Sequence, residues 1–314
     1  MAVKRVAGAP RVIAVGGSKG GIGKSMIAIN CAIRMAEDGK KVVLIDLDLG
    51  GASIHLYLGI TALKKDVNDY VTNRVATLDE LMVPTKYGPF FIGGDSSRLG
   101  SNNIDYVRKM KLLRAVRDLD ADYVIMDLGG DATYNILDFF LSADDSIVVT
   151  TCDPASYLNA YNFIKVALYR RLKRMFGPEL GYGEKRNILL ENLIHGFVMQ
   201  TNGTGMKSVH DLLERTGDEF PAYGALVSRV VHDFEPYLLV NRNNNAALVD
   251  NIVKRIQDVS ERVLSLKVNH IGTIGYHEEV EASARELYPA VARNPRGDFA
   301  LEIARVTDRF LGDS

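Results

Sequence analysis

Two lysines, Lys19 and Lys24, bracket the run Gly20-Gly21-Ile22-Gly23, and Ser25 follows directly. Glycine has no Cβ, so such a run can turn successive backbone N–H groups inward around an anion. A helix beginning just behind it adds partial positive charge from its first turn. This combination suits a polyphosphate. Backbone N–H groups from Gly20, Gly21, Ile22, Gly23, Lys24, Ser25 and Met26 would cradle it, the Lys24 ammonium would reach its β/γ oxygens, and the Ser25 hydroxyl would ligate Mg²⁺. The strict spacing G-x-x-x-x-G-K-[ST] is not met, because Ser18 stands where the first glycine belongs.

Position comes from the elements around these residues. Residues 12–15 read as a short buried strand, and residues 26–38 as a helix with Gly39 as its stop. The apolar strand at 41–45 ends in Asp46 and Asp48; the strand at 123–127 ends in Asp127, with Gly129-Gly130 behind it. Carboxylates at the carboxyl ends of central strands sit where open α/β sheets bind ligands. Further strands are expected at 89–92, 146–151, 237–240 and 269–274, and helices at 67–71, 78–81, 107–119, 155–176, 247–264 and 298–311. Between 177 and 234 no strand reads. Gly177-Pro178 and the glycines at 181 and 183 break the pattern, and helices are expected at 187–199, 208–216 and 222–234. The expectation is one α/β domain over residues 1–314, a mostly parallel sheet flanked by helices, with a helical insertion at 177–234.

Composition bounds the rest. The chain has 314 residues, 47% hydrophobic and 25% charged, with a formal net charge of −1. Such a balance argues against a whole-protein nucleic-acid footprint and leaves room for a local basic face. Arg170, Arg171, Lys173 and Arg174 form one such run, expected as a solvated face or a polyanion contact. Two cysteines, Cys31 and Cys152, exclude a disulfide framework. His195, His210 and His232 lack metal-ligand spacing. No apolar run is long enough to span a membrane and no signal-peptide pattern is present, so the expected location is cytoplasmic, possibly peripheral at the inner membrane face.

The string Lys19-Gly20-Gly21-Ile22-Gly23-Lys24-Ser25 resembles the deviant P-loop of the MinD/ParA ATPases. The stretch DLDLGGASIHLYLG from Asp46 resembles their switch I segment, most of all in MinD and FlhG proteins, with Ser53 where those carry asparagine and His55 in place of an acid. Thr150, Thr151, Pro154, Ala160, Tyr161, Ile164 and Lys165 match a further MinD/FlhG block, with Cys152 replacing a proline. The resemblance implies a P-loop NTPase fold and a set of roles. Lys19 would cross a nucleotide-sandwiched homodimer to the partner's phosphates; Asp48 would align the attacking water. Asp46 and Asp127 would lie at Mg²⁺ with Ser25 and Asp48, and Gly130 would sense the γ-phosphate. Asn241, followed by Arg242, would take the adenine.

By that resemblance the chain is a slow, partner-stimulated ATPase (ATP to ADP and phosphate) acting as a positioning or number-regulating switch, with an unidentified protein partner and a membrane or DNA surface as matrix. Two alternatives stand beside it: a nucleotide-binding module that does not hydrolyse, and a ParA-like DNA-partitioning ATPase. Iron–sulfur carriers of this superfamily use a C-x-x-C that the sequence lacks, and nitrogenase-type reductases need cluster cysteines where Asp131-Ala132-Thr133 stand. The helix at 298–311 carries one apolar stripe, Phe299, Ile303, Val306 and Phe310. Its other face mixes acids with arginines, so packing on the sheet is expected rather than membrane anchoring.

Overall fold

The computed structural model describes residues 8–17, 19–48, 53–94, 104–177, 185–199 and 206–311. The expectations for Ser18, for residues 49–52 of the switch-like stretch and for the break at 178–184 fall outside these residues. The described chain runs β1 (Arg11–Gly16), α1 (Lys24–Glu37), β2 (Val42–Leu47), α2 (Ile54–Tyr57), α3 (Val67–Val71), β3 (Val83–Pro84), β4 (Phe90–Ile92), α4 (Tyr106–Arg117), β5 (Tyr123–Leu128), α5 (Tyr134–Ser142) and β6 (Asp145–Thr150). It continues through α6 (Pro154–Lys173), α7 (Ile188–Val198), α8 (Val209–Glu219), α9 (Pro221–His232), β7 (Tyr237–Val240), α10 (Ala246–Leu264), β8 (Asn269–Thr273), α11 (Glu278–Glu286), α12 (Ala290–Arg293) and α13 (Asp298–Leu311).

Eight strands form one sheet in the order β3-β4-β2-β5-β1-β6-β7-β8. Every pairing is parallel except β3 with β4. The central strands are apolar on both faces because helices cover both. Val12, Ala14, Val43, Ile45, Val124 and Met126 point to one layer; Ile13, Val15, Val42, Leu44, Ile125 and Val149 point to the other, against α1 and α13. The two-residue β3, which carries Pro84, is an edge strand too short for a periodic signal.

The three helices expected between 177 and 234 are present as α7, α8 and α9, and their apolar faces join the layer that packs under α6 and α10. The basic run at the end of α6 is not a free solvated face. Arg170 and Arg174 reach Asp138 at 2.8 and 3.1 Å, and the buried Arg171 donates to the Val230 carbonyl at 2.8 Å. α13 packs its stripe inward, with Phe299, Ile303, Val306 and Phe310 all buried. Among the described residues no helix is long and apolar enough to cross a membrane.

Candidate functional site

β1 and α1 aim the loop between them at the carboxyl edge of the sheet. Gly23 caps α1 at φ +94 with no side-chain cap, so the first N–H groups of the helix are left for a ligand. Lys24 is 7% exposed and its Nζ donates to the Lys19 carbonyl at 3.1 Å. Burial lowers the Lys24 pKa, and the charges of Asp127, Asp48 and Asp131 act against that shift. A buried ammonium bonded to one carbonyl keeps donors for phosphate oxygens.

Asp127 ends β5 beside Asp46 on β2, the two strands being in register there. It is buried, and its Oδ1 has no hydrogen-bond partner. Burial, with Asp46 alongside, raises its pKa; Ser25 and Lys24 oppose the rise. A buried carboxylate oxygen without a partner next to a serine hydroxyl is a hard-oxygen donor pair of the kind Mg²⁺ takes, with phosphate oxygens and waters completing its shell. The residues therefore fit the ion. Asp46 stands differently: its two oxygens accept from the backbone N–H groups of Asp48 (3.1 Å) and Ile54 (3.3 Å), spanning the segment after β2. Burial pushes its pKa up to about 7.

Gly20, Gly21, Gly23, Lys24, Ser25, Met26, Asp48, Gly130, Asn241 and Arg242 line one cavity of about 400 Å³. Ser53 and Tyr57 flank it on one side; Gly275, Tyr276, His277 and Glu281 close the other. Gly130 is required where it stands, since a Cβ there would lie 2.9 Å from the Gly20 nitrogen. That brings the loop after β5 into touch with the phosphate loop. Lys19 is placed apart. Its Nζ pairs with Asp153, the N-cap of α6, at 3.0 Å, and both side chains are open to solvent. The Asn241 amide donates to the Ile22 carbonyl at 2.7 Å, and Arg242 donates to the Gly21 carbonyl at 3.2 Å and pairs with Glu281.

A β-strand, a glycine loop followed by a buried lysine and a serine at the start of a helix, and a buried carboxylate with an unpartnered oxygen at the neighbouring strand end make a polyphosphate site. The ParA family profile, described as NUBPL iron-transfer P-loop NTPase, matches residues 8–173. The chain belongs to the ParA family of P-loop NTPases.

Two curated relatives are 29% identical to this ParA-family chain. They are the antiactivator FleN of Pseudomonas aeruginosa, over 161 residues covering 50% of this chain and 56% of FleN, and the flagellum site-determining protein YlxH of Helicobacter pylori, over 164 residues covering 51% of this chain and 54% of YlxH. The chain thus spans about half the length of the curated relatives it matches. The septum site-determining protein MinD of Pyrococcus horikoshii, solved with Mg-ADP, superposes over 96% of both chains with a TM-score of 0.61 at 16% identity, a likeness of fold. The eight-stranded, mostly parallel sheet with helices on both faces is the MinD/ParA architecture expected from the sequence.

Three residues of the ParA-family site carry no signal in the sequence. Asp153, the partner of Lys19, lies 134 positions away from it. Glu281 sits on the polar helix α11, which shows no clear apolar period. Asn244 holds the loop at the cavity's far end, taking the Tyr276 N–H at 2.7 Å and donating to the Tyr276 carbonyl at 3.2 Å. Beside it, Asn243 Oδ1 takes the Asn245 N–H, and Asn245 caps α10 through the Leu248 N–H.

Proposed function

We propose that this chain is a Mg-ATP-dependent, dimerising ATPase of the site-determining kind, a spatial switch whose ATP form is a homodimer that engages a protein partner and whose ADP form releases it. The observation that carries the reading is the division between the two lysines. Lys24 is buried inside the cavity against Asp127 and Asp48, whereas Lys19 points to solvent on a weak, exposed ion pair with Asp153. Solvent screens such an exposed pair, so Lys19 is free to leave it for a second subunit. The chain folds, on this reading, as a single domain with the helices of 177–234 as an inserted lobe.

Each residue then has one task. Lys24 neutralises charge on the β/γ oxygens, and the backbone from Gly20 to Met26 holds the phosphates. Ser25 and Asp127 hold Mg²⁺, which when bound draws charge off the phosphates as a Lewis acid. Asp46 holds the backbone at Asp48 and at Ile54. Asp48, at the cavity wall, orients the water for in-line attack and accepts its proton, and Lys19 of the second subunit stabilises the transition state as a finger supplied in trans. The relative named a flagellum site-determining protein, YlxH, supports the positioning output, and the antiactivator FleN supports a regulatory one. The iron transfer in the family description finds no thiol pair here: Cys31 is buried in α1 and Cys152 precedes α6.

Light scattering on Asp48→Ala tests the reading. The variant should have the mass of a dimer with Mg-ATP and of a monomer with Mg-ADP. Equal masses with the two nucleotides would remove the switch and leave a static nucleotide-binding module.

A further inference from the structure

The carbonyl groups of the phosphate loop are almost all accounted for. The Lys19 carbonyl accepts from Lys24 Nζ, Gly21 from Arg242 Nη1, Ile22 from Asn241 Nδ2, and Gly23 from the Ile27 N–H inside α1. A carbonyl oxygen turned toward a polyphosphate would repel it, so a phosphate loop works only when its oxygens are held off and its N–H groups face in. Two of the four anchors come from consecutive residues at the end of β7, far away in the chain. We propose that Asn241 and Arg242 are positioning residues of the phosphate loop, holding the Ile22 and Gly21 carbonyls away from the cavity. The inference rests on the nucleotide-binding reading and departs from the sequence expectation that Asn241 serves the base.

Three features support it. The Asn241–Ile22 bond is buried at 2.7 Å, and Asn241 itself is held in the sheet by its N–H to the Thr150 carbonyl at 2.7 Å. Only the amide nitrogen can face a carbonyl, so the side chain's orientation is fixed by the loop rather than by a base. Gly23 is fitted to this contact as well: a Cβ there would lie 2.3 Å from Asn241 Nδ2. Arg242 adopts φ +62, a left-handed conformation uncommon for a residue with a side chain, and from it reaches both Gly21 and Glu281. Glu281 ties that guanidinium to α11 and so links the far wall of the cavity to the loop.

The test uses a ligand without a base. Inorganic tripolyphosphate with Mg²⁺ is competed against a fluorescent ATP analogue on the full chain, in the wild type, Asn241→Ala, Asn241→Asp and Arg242→Gly. The Asn241 variants should bind tripolyphosphate about tenfold more weakly, the loss of one buried hydrogen bond, and Arg242→Gly, whose bond to Gly21 is exposed, should lose less, about two- to threefold. Asn241→Asp, which keeps acceptor oxygens toward any base but turns a carboxylate onto the Ile22 carbonyl, should lose at least as much as Asn241→Ala. Arg242→Gly relieves the left-handed backbone, so its thermal midpoint should hold or rise while its affinity falls, a divergence that loss of folding does not produce. Wild-type tripolyphosphate affinity in Asn241→Ala, with ATP binding alone weakened, would overturn the proposal and return Asn241 to the base. Failure of the wild type to bind either ligand would instead overturn the nucleotide-binding reading beneath it.

Discussion

Asp138 shows how far a single residue's role depends on its surroundings. It sits on α5, 8% exposed, and its carboxylate meets the buried Lys109 together with Arg170 and Arg174. Burial alone would raise its pKa, but hydrogen bonds from Arg170 and Lys109 outweigh it and the net shift is downward. Asp138→Ala would strand Lys109, which is 4% exposed, and should cost about 3–5 kcal/mol in urea unfolding. The lowered pKa sets the sign with pH: the contribution is fully present above the unfolded carboxylate value near 4 and is lost as pH falls through the folded value. The acid limb of the stability curve should therefore be steeper in the wild type than in Asp138→Ala. At the same scale Lys24 and Ser25 could be read from their spacing alone. Asp153 and Glu281 could not, because their partners Lys19 and Arg242 are brought to them only by folding.

Among the elements, α13 is the clearest case of a pattern that transfers directly to packing. Its apolar period points four side chains inward. Phe310 is 1% exposed, with its ring edge-on to Tyr237 at 5.7 Å and the Arg11 guanidinium 5.6 Å from its centre. The helix end is also pinned, since Arg11 and the Tyr123 hydroxyl both donate to the Phe310 carbonyl. Phe310→Ala should lower unfolding stability by about 3–5 kcal/mol, measured by denaturant titration. A loss under 1 kcal/mol would mean that this face is not committed to the sheet. Short or uniformly coloured elements were harder to read. α5 is apolar almost throughout, so its period is masked; α2 spans four residues, and α11 is nearly all polar.

For the whole molecule the question is whether the site is completed by a second copy. If Lys19 acts in trans and Asp48 in cis, Lys19→Ala and Asp48→Ala should each be inactive alone. Mixed in equal amounts they should recover about a quarter of wild-type phosphate release, because random pairing makes half the dimers mixed and each mixed dimer has one intact site. No recovery on mixing, with dimers shown to form, would place both residues in the same subunit's site and remove the finger role. The geometry in one chain is consistent with the division, since Asp48 lines the cavity while Lys19 stands outside it on Asp153.

Most of the parallel strands, the long helices and the glycine loop between β1 and α1 were legible in the sequence, since these depend on local chemistry: apolar runs make buried strands, glycines make the loop, and acids fall at strand ends. The sequence also placed α7, α8 and α9 within a few residues of their ends. Tertiary structure alone decided which side chains hold the loop open. Asn241 and Arg242 lie 219 and 221 residues from the carbonyls they bind, and the Asp46 oxygens accept from the Asp48 and Ile54 N–H groups. A hydrogen bond between distant residues leaves no periodicity in either segment. It exists only once the sheet has set β7 beside β6, one strand away from β1, and so brought the far end of the chain against its phosphate loop.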